Sequence, residues 1–165
     1  QFNIDEIMAV FEVRCFLAEQ VGLLAAERAT EQEIINLENL FDEMHKANSS
    51  QNVTNIWDVG LEFHTLLLES TKNQCLADIY INLHAQHRLF RIDCLAKFPS
   101  LFELTHLNKE AIEGRAKIVK SIKQRDSQLA STLFGQYMAH SRDQSLHTYE
   151  AGMKLTHELE TKESA

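Results

Sequence analysis

Apolar residues recur along nearly the whole chain at the three- and four-residue spacing of amphipathic helices, and this periodicity divides it into six segments. The first runs from about Asp5 to Ala29, with Ile7, Phe11, Leu17, Val21, Leu24 and Ala25 on apolar stripes and Asn3 with Glu6 as a capping box. Thr30 and Glu33 repeat that signature and open a second helix to about Ala47, carrying Ile34, Ile35, Leu37, Leu40, Phe41 and Met44. Ala47 to Asn52 reads as a polar connection, and the third helix covers Thr54 to Ser70. Asn73 is placed to cap a fourth, reaching Lys97, with Leu76, Ile79, Tyr80, Leu83, His87, Phe90, Cys94 and Leu95 inward. Pro99 ends it, because the residue before a proline is driven from the α region. A loop through Thr105 to Asn108 precedes a fifth helix, Lys109 to Gln124. Asp126 then caps a last, long helix whose inward stripe reads Leu129, Leu133, Tyr137, His140 and Gln144. With one proline and five glycines, punctuation is scarce. The expected fold is an all-α antiparallel bundle in one domain spanning 1–165.

Several of these stripes carry residues that a core would not choose. The third helix aligns Trp57, Gly60, His64, Leu67 and Leu68 on one face. The fifth aligns Arg115 with Ala111, Ile118, Val119 and Ile122, and the last follows Leu129 and Leu133 with Tyr137 and His140. Arg14 sits among the apolar stripes of the first helix. A guanidinium is costly to bury without a carboxylate from the protein or an anion from outside. Each such residue alone is what a satisfied core group looks like. On three helices together, His64, Arg115 and Tyr137 outline a pocket, and Gly60, Gly114 and Gly135 beside them would leave it space.

Charge and motifs narrow the chemistry. The formal net charge of −8 opposes nucleic-acid binding by this chain, since phosphate neutralisation supplies most non-specific affinity. Three cysteines without CxxC spacing point to a reduced, cytoplasmic setting. No apolar run approaches the ~18 residues of a membrane span. Eight histidines make a metal worth weighing: His84 and His87 share a helix face, and Glu103-x-x-His106 is an ExxH. A di-iron bundle needs a second ExxH and further inward glutamates, which are missing, as are HExxH, a phosphate-binding glycine loop and a nucleophile elbow. The reading is therefore not an enzyme.

Three strings of residues carry a family resemblance. They are Phe11-Glu12-Val13-Arg14 with Leu24-Ala25-Ala26-Glu27-Arg28-Ala29-Thr30; Phe63-His64-x-x-Leu67 with Glu69-Ser70-x-x-Asn73-x-x-Leu76-Ala77; and Arg115-x-x-Ile118-x-x-x-Ile122-x-x-Arg125-Asp126-x-x-x-Ala130. In order and spacing the sequence resembles the FCD domain, the effector-binding C-terminal half of FadR-type GntR transcription regulators. The resemblance implies a bundle of six or seven helices around a central effector cavity, dimerisation, and a winged helix-turn-helix domain upstream that would make the DNA contacts. The absent initiator methionine fits a segment of a longer protein.

Many members of that family hold zinc or nickel through an aspartate four residues before the Phe-His histidine, that histidine, and one histidine on each of the last two helices. Those positions fall here on Gly60, His64, Arg115 and Tyr137, so only His64 matches; His140, one turn beyond Tyr137, is the nearest substitute. The expectation is a cavity without a metal cofactor. It would bind a small organic acid directly through Arg14, Trp57, Gly60, His64, His84, Arg115, Tyr137 and His140, with Arg115 supplying the positive charge. The alternatives are a metal-dependent sensor built on His64 and His140, a helical-bundle metalloenzyme, and a purely structural dimerisation module.

Overall fold

A computed structural model describes residues 3–50, 53–99 and 109–163. The described residues form six helices and no strand: α1 (Ile4–Arg28), α2 (Glu31–Ser50), α3 (Val53–Ser70), α4 (Gln74–Lys97), α5 (Lys109–Lys123) and α6 (Ser127–Glu163). Glu103, His106 and the Thr105–Asn108 loop lie outside them.

The caps follow from side chains that satisfy free helix-end amides. Thr30 and Glu33 make the complete box: the Glu33 N–H donates to Thr30 Oγ1 at 3.2 Å, and the Thr30 N–H donates to Glu33 Oε2 at 2.8 Å. Asn73 Oδ1 accepts from the Leu76 N–H at 3.1 Å, and Asp126 Oδ1 from the Leu129 N–H at 2.9 Å. Asn3 departs from the expected box, because its side chain accepts from Asp5, one residue earlier than Glu6. The end of α2 also moves. Ala47 is buried and Ser49 Oγ returns to the His45 carbonyl at 2.8 Å, so the helix continues to Ser50 instead of stopping at Ala47.

The most extensive helix pair is α1 with α6. They run antiparallel, since Gly22 lies against Ala130 while Glu19 lies against Gly135. A Cβ on Gly22 would come within 2.4 Å of the Ala130 carbonyl oxygen, so two backbones meet where no side chain fits. Packing at that seam sets the register of α6 one residue away from the Leu129–Leu133 stripe. Ala130, Phe134 and Met138 are buried, Leu133 is half-buried, and Leu129 is 41% exposed. On α4, Leu76, Tyr80, His87, Phe90 and Cys94 face inward, whereas Ile79 is 49% exposed and Leu83 and Leu95 are half-buried.

The turns also tie helix ends together. Arg125 adopts φ 59° between α5 and α6 and donates from Nη1 to the Ala29 carbonyl at 2.6 Å. Arg28 donates to the Thr71 carbonyl at 3.0 Å. These two arginines of the resemblance motifs thus close the end of the bundle where α1 stops.

Candidate functional site

A cavity of about 100 Å³ lies between α1, α3, α4, α5 and α6. Its lining includes all eight residues that the sequence singled out: Arg14, Trp57, Gly60, His64, His84, Arg115, Tyr137 and His140. They do not hold equal positions. Arg14 (1% exposed), His64 (3%) and Arg115 (6%) are buried; Trp57, Gly60, His84 and Tyr137 are half-buried; His140 is exposed.

Arg14 projects from the buried face of α1 between Phe11 and Tyr80, its guanidinium carbon 5.1 and 5.6 Å from their ring centres. Its Nη2 donates to His84 Nδ1 at 3.1 Å, while Nε and Nη1 are buried without a hydrogen-bond partner. A guanidinium can only donate, so this bond makes Nδ1 of His84 the acceptor and leaves its proton on Nε2. Arg115 reaches in from α5, lies 4.8 Å over the Phe63 ring, and donates from Nε to the Tyr137 hydroxyl at 2.8 Å. Among the described residues its Nη1 has only the Met44 sulfur, at 3.9 Å, a weak acceptor. Gly60 leaves the outer edge of this guanidinium open: a Cβ there would sit 3.8 and 3.9 Å from Nη2 and Nη1. Gly114 and Gly135 do not create space in this way. Positions for their Cβ atoms are filled by the Tyr137 ring (3.1 Å) and by the Glu19 side chain of the α1–α6 seam (2.8 Å).

Two further arginines, Arg88 and Arg91, line the cavity together with His87. No aspartate or glutamate does so among the described residues. Arg88 lies 5.8 Å over Trp57, and its Nε is buried without a partner. Burial, added to repulsion from Arg115 and Arg14, brings the Arg91 pKa down to about 10. Burial first, and then the surrounding cations, push His64, His84 and His87 well below the ordinary imidazole value. His84 feels all four arginines, which places it at the centre of the field. His87 is fixed differently: Ser145 donates its hydroxyl to the Ser141 carbonyl, so His87 Nε2 must be the donor in its 2.9 Å contact with Ser145 Oγ. Burial pushes the Tyr80 phenol up to about 12, keeping it a neutral partner of His64 Nδ1 at 3.3 Å.

The signal for Arg88 and Arg91 was in the sequence. His84, His87, Arg88 and Arg91 stand at i, i+3, i+4 and i+7, a basic stripe on one face of α4.

Residues 9–140 match the family model of the FCD domain. The chain belongs to the FCD family. Among solved structures, the FCD domain is similar to E. coli McbR/YncC at TM-score 0.73 and 16% identity, covering 90% of this chain and 72% of that one. It is similar to Streptococcus agalactiae GntR at TM-score 0.63 and 18% identity, covering 87% of this chain and 61% of that one. At these identities the likeness establishes a shared fold. No curated protein matches the sequence.

The metal that many FCD domains hold does not fit the residues present. Of the four ligand positions, Gly60 has no side chain, Arg115 is a cation, and Tyr137 accepts from that cation. Among the described residues of the lining, His64 is left with the neutral imidazole of His84, ring centres 4.4 Å apart, and no anionic ligand. Among the described residues no group of three or more His, Cys, Asp or Glu side chains is arranged to hold a metal ion. No helix among them is long and apolar enough to cross a membrane.

Proposed function

We propose that this FCD domain is the effector-sensing part of a GntR-type transcription regulator, and that the effector is a small organic anion held directly by arginine, without a metal bridge. The observation that carries the reading is Arg14. It is a fully buried cation with two guanidinium nitrogens unpartnered in a cavity whose described lining has no carboxylate. Such a group is costly to the fold unless an anion arrives to compensate it. Arg115 and Tyr137 offer a second set of donors, and the neutral histidines add N–H groups. Binding would draw α1, α4, α5 and α6 together around the anion. That would bias the bundle between states that set the spacing of upstream winged-helix domains in a homodimer, a population shift read out as DNA affinity.

The test is calorimetric titration of candidate mono- and dicarboxylates into the wild-type domain and the double variant Arg14→Gln/Arg115→Gln. Binding by wild type that the double variant weakens about tenfold or more supports the reading; equal affinities refute it. In the protein carrying its DNA-binding domain, the same carboxylate is expected to change operator affinity.

A further inference from the structure

We propose that the cavity takes a compact dicarboxylate, with one carboxylate held by Arg14 and the other by Arg115. This rests on the anion-sensing reading and narrows it.

The two guanidiniums come from different helices and sit in separate settings of one lining. Arg14 comes from α1 and is held against Phe11, Tyr80 and His84. Arg115 comes from α5 and is held against Phe63 and Tyr137. A chain of contacts links them: His84, which accepts from Arg14, has its ring centre 4.4 Å from that of His64, and His64 is edge-on at 5.7 Å to Phe63, beneath Arg115. Both arginines line the cavity with donors unspent: Arg14 has Nε and Nη1 without partners, and Arg115 has the edge that Gly60 leaves open. One carboxylate satisfies one such edge.

Charge leads to the same conclusion. Four arginines line the cavity, and Arg91 is repelled by both Arg14 and Arg115. A monoanion placed at either end would leave the other cation buried and uncompensated, whereas a dianion spanning the two satisfies both. The volume, about 100 Å³, admits several water-sized groups and no long chain. His84, locked with its proton on Nε2, is a further neutral donor within the site. A single doubly charged group such as phosphate carries the same charge but presents it at one point, and so serves as the control.

The experiment titrates succinate, glutarate and adipate into the wild-type domain, each beside its half-amide and its diamide, with inorganic phosphate as a further arm. At least one dicarboxylate is expected to bind about tenfold or more tightly than its half-amide, and the diamide not to bind. Arg14→Gln and Arg115→Gln should each lower that dicarboxylate to the affinity of its half-amide. Each should leave the half-amide within about twofold of its wild-type affinity, because the remaining arginine still takes its one carboxylate. A variant that had merely lost its fold would lose both ligands. A half-amide that binds as tightly as its parent acid, or phosphate that binds as tightly as the best dicarboxylate, overturns the two-ended assignment and leaves the anion reading standing. Diamides that bind as tightly as the acids overturn both. If no acid in the series binds, the dicarboxylate assignment falls, and the monocarboxylate arm of the preceding titration decides the broader reading.

Discussion

Gly22 and Gly60 are both glycines inside helices, and the bundle uses them in opposite ways. At the α1–α6 seam, Gly22 is where backbone meets backbone, and the missing side chain is replaced at once by the Ala130 carbonyl. On the cavity wall, Gly60 faces the guanidinium of Arg115 at ordinary contact distance, and the missing side chain stays open. The seam spends its glycine on packing, while the cavity spends its own on access. The same division runs through the charged residues. Arg125 and Arg28 at the helix ends have backbone carbonyls to bond, whereas Arg14 keeps two buried nitrogens without partners. One region is built to be satisfied by itself and the other to be satisfied by something else.

That contrast breaks first at Gly22. Gly22→Ala forces its new methyl into the Ala130 backbone; overpacking against atoms that cannot move aside costs about 3 kcal/mol, and helix propensity returns about 1. Urea unfolding should show a net loss of about 2 kcal/mol, and an unchanged midpoint would mean that the seam is looser than described. In the cavity the sign reverses. Arg14→Met removes an unpaired buried cation while keeping the length of the side chain, so unfolding should become about 2 kcal/mol harder as anion binding weakens. A destabilised Arg14→Met would show that Arg14 is an ordinary structural arginine. Gly60→Ala should be stabilised by about 1 kcal/mol from helix propensity, again with weaker anion binding, because the methyl stands over the open edge of Arg115.

Acid offers a smaller, graded test of the same region. His64, His84 and His87 are held neutral in the fold, so the unfolded chain takes up protons first as the pH drops. Stability should be complete above the ordinary imidazole pKa of about 6.5 and fall progressively below it. Urea midpoints measured on either side of that value give the slope, and a flat profile would mean that the histidines are not desolvated. The smallest expected effect is none at all: zinc, nickel or a chelator should leave the melting temperature unchanged. Elemental analysis that finds about one transition metal per chain would reverse the assignment of the cavity and call for His64, His84 or His140 as ligands.

Much of this molecule was legible in the sequence because it depends on local rules. The caps at Thr30, Asn73 and Asp126 were placed by residue type alone, since each satisfies an amide within its own first turn. The helical periodicity and the three resemblance strings led to the FCD family, and Arg14, Gly60, His64, Arg115, Tyr137 and His140 were marked by standing as polar or small groups on apolar stripes. What failed was register and company. Leu129 and Ile79 are apolar and were drawn on inward stripes, yet both are exposed; at Leu129 the cause is Gly22, which fixes where α6 meets α1. Gly114 and Gly135 resembled Gly60 until their neighbours were known. Arg88 and Arg91 lay on a stripe with His84 and His87 that periodicity alone does not mark as inward.

By itself, then, the chain determines the six described helices, most of their ends, and which residues are out of place in a core, because these depend on neighbours within a turn or two. Only the tertiary structure decides whether an out-of-place residue finds its partner. That depends on what the other helices bring to the same point, and at Arg14 and Arg115 they bring aromatic rings, neutral histidines and no carboxylate among the described residues.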